Sequence, residues 1–588
     1  MSDLKTSLRE IFGFESFREG QEQTIQQLLQ GQSSLAIFPT GSGKSLCYQL
    51  AALHLPKLTL VVSPLLALIK DQVDFLHSKG IAAASIDSTQ GFEAQRQTID
   101  GIRRGEIKIL MVSVERFKNE RFRSFIESIE LSLLVVDEAH CISEWGHNFR
   151  PDYLKLPAYQ KELNIPMVLL LTATATRKVK EDMCKKFAIA QNHMVQTGFY
   201  RSNLDLAVVP TSQSHKLARL LESVQGNSGA GIVYVTLQHT ANEVGQYLRE
   251  QGINAVSYHA GLPTEARLRI QDQFMQSEDQ TVVATIAFGM GVDKANIRYV
   301  IHYDLPKSIE NYSQEIGRAG RDGQASKCIT LANLDGLNTV ENFVYGDTPE
   351  LTGIEKVIQI IQAETHGDQW EMQINTLSSS SNIRQLPLKT LLVHLEMQGV
   401  IQAKFSYYAD LRYKFLVNEA DILARFQGER KSFLQAVFQT GSKKRIWCEP
   451  NFKQLKQAYG AERGRAVTAL EYLHENAWIN LESKKITDVY QVNVARASEA
   501  HLASDLSEYF LSKEKSEIQR IANLVKFFEG EACLSKALAQ HFDDAQVTSN
   551  CGHCSVCRGE IAKLRYSQKV SSPSLEDLKE FLPQLQQK

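Results

Sequence analysis

The chain has 588 residues, 43% of them hydrophobic and 22% charged, with 65 Lys and Arg against 67 Asp and Glu. That length suits about four domains of ordinary size, and the mixture is that of globular chains that bury cores. The net charge of −2 leaves bulk charge silent about nucleic acid, so a basic footprint has to be local. Neither a membrane span nor an export signal is expected: no apolar run approaches the roughly 20 residues that span a bilayer, and Met1 to Phe14 lack the apolar core and cleavage site of a secretory signal.

Between about 34 and 335, short apolar runs alternate with longer amphipathic stretches. The first set predicts strands at Leu35–Phe38, Leu58–Val62, Ile107–Val112, Leu131–Val136 and Met167–Leu171. The second predicts them at Gly231–Val235, Thr281–Ile286, Ile297–Tyr303 and Cys328–Leu331. Strands that alternate with helices imply βαβ units and parallel sheets covered on both faces. The expectation is therefore an α/β protein with two lobes, 1–205 and 206–345, joined near Tyr200–Leu206.

Beyond about 346 the pattern becomes mainly helical. Leu391–Ile401 aligns with Ala469–Ile479, and Leu377 with Leu455, a weak repeat offset by 78 residues. Each copy reads as helix, turn, helix and a strand-like tail. The first tail, 402–415, is expected to fold as a hairpin around Tyr408–Asp410. The reading is two winged-helix-like units, 346–425 and 426–503, with ordinary helical hairpins of accidental similarity as the alternative. Residues 504–542 read as a helical pair within a cysteine-bearing domain, 504–562. The polar tail, 563–588, is expected to end in one short helix.

Three segments carry phosphate chemistry. Phe38-Pro-Thr-Gly-Ser-Gly-Lys-Ser45 joins a strand to a helical stretch. Gly41 and Gly43 have no Cβ, so the backbone N–H groups of Thr40–Gly43 can wrap an anion closely. Lys44 can reach the β and γ phosphates, the Ser45 hydroxyl can ligate Mg²⁺, and the helix N-terminus adds roughly half a positive charge. Leu131–Val136 leads into Asp137-Glu-Ala-His140, two carboxylates at the strand end where ligands of such sheets bind. Asp137 is expected to hold Mg²⁺ through water, and Glu138 to orient or deprotonate the attacking water. His140 is expected to link nucleotide state to the rest of the lobe. In the second lobe, Arg318 and Arg321 share a face if their segment is helical. An arginine aimed at a γ-phosphate is worth about 10³ to 10⁵ in rate. Arg321 is the candidate finger and Arg318 its support, two surface arginines being the alternative.

With these motifs in place, residues 12–335 resemble the RecQ DNA helicases almost motif by motif. Matching strings include Phe12-Gly-Phe-Glu-Ser-Phe-Arg-Glu-Gly-Gln21, Ser63–Gln72, Leu171-Thr-Ala-Thr-Ala175 and Tyr258–Leu262. The Pro-Thr-Gly form of the phosphate loop, with Phe38 at the usual first glycine, is similar to that of superfamily 2 helicases. The resemblance implies RecA-like lobes and ATP as fuel. By the same resemblance Phe14 and Arg18 stack on adenine and Gln21 reads its edge, as an amide can. Cys141-Ile-Ser-Glu-Trp-Gly-His-Asn-Phe-Arg-Pro-Asp-Tyr153 resembles the family's aromatic-rich loop, which senses single-stranded DNA. Trp145 and Phe149 would stack on bases, at about 1–3 kcal/mol per base, and His147 and Arg150 would contact backbone or the lobe interface. The family's 3′-to-5′ polarity is likewise only implied.

Cys533 and Cys551-Gly-His-Cys-Ser-Val-Cys557 offer four thiolates, a set suited to tetrahedral Zn²⁺. The spacing also matches the RecQ zinc site; a redox site or a [4Fe–4S] cluster is the alternative. His541 and His553 read as ordinary polar surface. About 185 residues separate the second lobe from Cys533, a departure from the usual family order of lobe, zinc, winged helix. Arg384, Lys389, Tyr407, Tyr408, Arg412 and Lys443-Lys-Arg445 are candidate duplex contacts there, a solvated face being the alternative. The expected function is an ATP-dependent DNA helicase using ATP, Mg²⁺ and Zn²⁺ on single-stranded and tailed duplex DNA. It is expected to be a monomer without membrane association, cytoplasmic and, in a bacterium, nucleoid-associated. An RNA helicase and an ATP-regulated DNA-binding scaffold are the competing readings.

Overall fold

A computed structural model describes residues 2–567 except 65, 88, 89, 144–149, 290, 291, 293, 445, 462 and 545. The expected helix at the end of the chain lies outside the described residues.

Seven strands form the first sheet: β1 (Ser34–Ile37), β2 (Leu58–Val62), β3 (Ala83–Ser85), β4 (Ile109–Val112), β5 (Leu131–Val136), β6 (Val168–Thr172) and β7 (Met194–Gln196). Their order is β3-β4-β2-β5-β6-β1-β7, and all neighbours are parallel. Six form the second: β8 (Leu204–Pro210), β9 (Ala230–Tyr234), β10 (Ala255–Tyr258), β11 (Thr281–Ala284), β12 (Ile297–His302) and β13 (Ser326–Ala332). These are again all parallel, in the order β10-β11-β9-β12-β13-β8. Each sheet has a hydrophobic cluster on either face. Central strands such as β2 and β5 are buried throughout, which is why they read as unbroken apolar runs.

Four strands of the lobes escape the apolar-run pattern, β3, β7, β8 and β10, and these are the edges of the two lobe sheets. Edge strands are partly solvated and alternate, as in β8, or are only three residues long, as in β3 and β7. A search for continuous apolar runs passes over both patterns.

The region after the lobes is built from one supersecondary unit used twice. Helix Leu351–Glu364, β14 (Gln369–Met372), helices Ile374–Ser381 and Gln385–Met397, and β15 (Ile401–Phe415) form the first unit. A small hairpin strand, β16 (Ser442–Lys444), precedes β17 (Trp447–Glu449) in the second. There, helix Gly428–Thr440, β17, helices Phe452–Tyr459 and Arg463–Glu475, and β18 (Ile479–Val492) start 77 or 78 residues after their counterparts.

The expected hairpin at Tyr408–Asp410 is absent. Instead β15 continues unbroken and pairs antiparallel with β18, from Ile401 opposite Val492 to Phe415 opposite Ile479, with one register shift between Ala403 and Phe405. Tyr-Ala-Asp has no Gly or Asn to adopt the positive φ of a tight hairpin turn, and the partner strand satisfies the same backbone groups. Tyr408 pairs with Ile486, its own repeat counterpart, so a pseudo-two-fold axis passes through that pair. The sheet order β14-β18-β15-β17-β16 follows from it. Each unit is thus completed by the far half of the other's strand.

The expected helical pair is a 27-residue helix, Leu502–Phe528, followed by Leu534–His541. Its first half, with Leu502, Leu506 and Phe510, fills the core of the first unit. Its end, with Leu524, Phe528, Cys533 and Cys554, enters the core of the second lobe beside β8. The chain therefore returns to the second lobe after the repeat. Among the described residues no helix is long and apolar enough to cross a membrane.

Candidate active site

The phosphate loop leaves β1 and enters helix Ser45–His54. Gly41 and Gly43 have φ of 83° and 78°, a region that favours glycine. A Cβ on Gly43 would lie 2.9 Å from the Gln21 amide nitrogen. Ser42 Oγ donates to the Pro39 carbonyl at 2.6 Å, closing the turn. Lys44 Nζ lies 3.4 Å from the Phe38 carbonyl. Burial lowers the pKa of its ammonium, while Glu138 and then Asp137 oppose that shift.

Asp137 and Glu138 follow β5 into the same cleft. Burial, and next the charge of Glu138, push the Asp137 carboxyl up to about 6, with Lys44 pulling the other way. Ser63 Oγ donates to Asp137 at 3.4 Å. Burial and the Asp137 charge push the Tyr48 hydroxyl up, while the Gln49 and Ser45 side chains oppose that shift. A hydroxyl and a carboxylate make a hard donor set that suits Mg²⁺, and a carboxylate with a raised pKa is one that a cation would relieve. Glu138 has φ 49°, a left-handed conformation that costs a non-glycine residue about 1–3 kcal/mol and is typical of functional turns. His140 Nδ1 is 2.9 Å from Thr172 Oγ1 and 3.3 Å from Glu138. Burial brings its pKa down to about 3, so the ring is neutral and ties the Asp-Glu-Ala-His turn to the Thr-Ala-Thr turn after β6.

The two arginines do not share a helical face. Helix Ile309–Ile316 stops before Gly317, and residues 317–322 form turns. This separates the pair. Arg318 is buried and donates to the Gly289 carbonyl within its own lobe. Arg321 crosses to the first lobe, where a Cβ on Gly41 would lie 3.3 Å from its Cγ. Its Nη1 donates to the Val292 carbonyl at 3.1 Å, and its charge lowers the pKa of Lys44. A Cβ on Gly317 would sit 3.4 Å from Thr40 Oγ1, so the two lobes meet at the loop itself.

The upstream segment braces the phosphate loop. Buried Gln21 donates from Nε2 to the Ser42 and Gly43 carbonyls at 3.2 and 3.0 Å, and accepts the Arg18 N–H at 2.9 Å. Arg18 donates to the Gly41 carbonyl at 2.6 Å, while Phe14 is exposed. In this arrangement both Nε2 hydrogens are committed to the loop, so pairing of the whole amide with an adenine edge requires their release. Of the aromatic-rich loop, Trp145, His147 and Phe149 lie outside the described residues. Arg150 lines a cavity with Glu138, His140 and Gln314 of the second lobe, closed by Leu386 and Lys389 of the first repeat unit. Lys389 thus faces the motor. Arg384 pairs with Asp347 at 3.6 Å; Arg412 pairs with Glu482 and lies over Trp447 at 4.4 Å.

The Sγ atoms of Cys533, Cys551, Cys554 and Cys557 all lie within 4.8 Å of one another. The pairs 551–557 and 533–554 are 3.9 and 4.0 Å apart. Tetrahedral Zn²⁺ at about 2.3 Å from sulfur needs separations of roughly 3.8 Å, so the set fits. Backbone N–H groups of Cys551, Cys554 and Cys557 point at neighbouring sulfurs, as thiolates require. His541 and His553 are not ligands, and neither is idle surface. His541 Nε2 is 2.9 Å from buried Glu310, and His553 Nε2 is 3.1 Å from the Leu204 carbonyl. Short-range sequence patterns carry no sign of these long-range partners.

Two parallel-sheet lobes with a phosphate loop on one and an arginine from the other define a two-lobed P-loop nucleotide-binding protein. Family models match the chain as DEAD/DEAH box helicase over 18–182, helicase conserved C-terminal domain over 213–323 and RecQ zinc-binding over 502–558. The probable ATP-dependent DNA helicase RecS of Bacillus subtilis is 36% identical over 433 residues, 72% of this chain and 86% of that protein. The ATP-dependent DNA helicase RecQ of the same organism is 43% identical over 327 residues, 55% of each chain. In a solved structure, the DUF1998 helicase MrfA bound to DNA covers 69% of this chain with 61% of its own, at 18% identity and a TM-score of 0.49. The chain belongs to the RecQ family of DNA helicases. It spans about half the length of several curated relatives, 45% in an Arabidopsis thaliana helicase Q-like 5 and 55% in the Bacillus subtilis RecQ.

Proposed function

We propose that this chain is a DNA-dependent ATPase that moves along a single strand and separates duplex DNA, acting in replication, recombination or repair. The observation that carries the reading is the composite cleft, with Lys44, Asp137 and Glu138 on one lobe and Arg321 of the other lobe against Gly41. Lys44 neutralises the β and γ phosphates, and Glu138 orients the attacking water and takes its proton. Arg321 stabilises charge that develops only during transfer. Mg²⁺, held through Ser45 and Asp137, would shield the phosphate oxygens. Because the finger belongs to the second lobe, hydrolysis requires the lobes to be together, and product release lets them part with a step along the strand. His140, joined to Thr172, relays the state of the cleft towards Arg150 and the aromatic-rich loop. Zinc, held by the four cysteines, supplies folding stability to the module beside β8.

The family resemblance supports 3′-to-5′ movement; the chain is further read as a monomer, cytoplasmic and, if the source is bacterial, nucleoid-associated. The deciding experiment compares 3′-tailed and 5′-tailed duplexes with ATP and measures hydrolysis with single-stranded DNA or RNA. Unwinding of the 3′-tailed substrate with DNA-stimulated hydrolysis is expected. Stimulation by RNA alone overturns the reading.

A further inference from the structure

The C-terminal end of the zinc-module helix and the turn that follows it, His541–Asp544, touch both lobes with consecutive residues. His541 Nε2 is 2.9 Å from Glu310, which is buried in the second lobe on the helix leading to Arg318 and Arg321. Arg520 of the long helix also approaches Glu310, at 3.6 Å. The next residues face the other way. Buried Lys180 of the first lobe donates to the Phe542 carbonyl at 3.0 Å and to Asp543 at 3.3 Å. Asp544, also buried, accepts the Phe199 N–H of the inter-lobe linker at 2.7 Å. The Phe542 ring stacks on Phe199 with centroids 4.8 Å apart. The remainder of the zinc module is rooted in the second lobe through Ser555 and β8, the Ser555 N–H donating to Leu206 at 2.9 Å.

We propose that His541–Asp544, gripped by Glu310 on one side and Lys180 on the other, is a clasp that sets the distance between the lobes and thereby positions Arg321 against the phosphate loop. The physical case is one of lever and anchor. The linker Thr197–Leu204 is the direct covalent join between the lobes and could act as a hinge with nothing beside it. A second attachment limits that freedom while the lobes are together, and four adjacent residues with buried partners on both sides form one, through hydrogen bonds and a ring stack that can release when the lobes part. A misplacement of about 1 Å at a reacting centre can cost about 10²-fold in rate, so a contact remote from the phosphate can govern turnover. Glu310, Lys180, His541 and Asp544 are in this sense positioning residues and touch no substrate.

The inference rests on the ATPase reading above, and wild-type hydrolysis lost in Lys44→Ala tests that reading separately. The clasp is tested with Glu310→Gln, Lys180→Met and the double variant, with zinc content and melting temperature recorded alongside. Each single change is expected to lower DNA-stimulated kcat about tenfold, leave KM for ATP within about threefold and keep one zinc per chain. The double variant is expected to be no slower than the worse single one, because both cuts open the same bridge. Should Lys180→Met lose zinc or fail to fold, Phe542→Leu removes the stack on Phe199 and the edge contact with His541 and takes its place, with the same expectation. Unchanged kcat in the folded single variants, or losses that multiply in the double one, overturns the clasp.

Discussion

The molecule contains two pairs of related halves, joined in opposite ways. The lobes each complete their own parallel sheet and meet through side chains at a cleft, so they can part without breaking a backbone ladder. The repeat units share one sheet, β15 and β18 each serving both units, so neither can leave without dismantling the other. The motor pair is built for relative movement and the repeat pair for fixed geometry. A further asymmetry lies within the repeat. The first unit packs on the first lobe through the Lys155–Glu396 pair and Arg123, which donates to the Lys404 carbonyl at 2.7 Å, and borrows the long helix for its core. The second has a core of its own, drawn from residues between Tyr413 and Leu481. The matched spans 351–415 and 429–493 carry 6 Lys and Arg against 6 Asp and Glu, and 11 against 7. The second unit is thus the more basic one.

The largest effect is expected where the motor halves meet. Arg321→Ala should lower kcat about 10³-fold while ATP affinity and the melting temperature change little; steady-state hydrolysis with nucleotide titration checks it. Next, Cys554→Ser should abolish zinc binding and cost several kcal/mol, an effect about as large as losing a structural metal allows, read from zinc content and solubility. To break the shared ribbon, Tyr408→Pro removes the backbone N–H donor at the pseudo-axis and should cost more than the Arg412 change below. Because the units are fused, fluorescence from Trp370 in the first and Trp478 in the second should be lost at one denaturant concentration; separate transitions would show independent units. The smallest effect should come from Arg412→Ala, whose partners Glu482 and Trp447 are partly exposed. About 1 kcal/mol or less is expected by denaturation.

Much of the site was legible because its parts are local. A strand, a glycine turn, Lys44 and a helix follow one another within a dozen residues, and two carboxylates end an apolar strand. What separates Arg318 from Arg321 was not legible. Three positions apart, they would share a helical face, but Gly317 and Gly320 break the helix and send one inward and the other across the cleft. The family resemblance makes Gln21 an adenine contact, whereas its placement beside Ser42 and Gly43 depends on how the segment before β1 packs. His541 shows the same limit from the other side, its partner Glu310 lying 231 residues away.

The sequence by itself determined what local chemistry determines: the central strands, the phosphate loop, the paired carboxylates, the four-cysteine set and the 78-residue repeat. Only the tertiary structure decided the sheet edges, the exchange of strands between the repeat units, the return of the zinc module to the second lobe and the crossing of Arg321 to Gly41. The division has one physical cause. Periodicity and turn chemistry act over a few residues and are written in order along the chain. Partners for an edge, a long strand or a buried charge are chosen by whichever distant surface satisfies them, and that choice exists only once the chain has closed on itself.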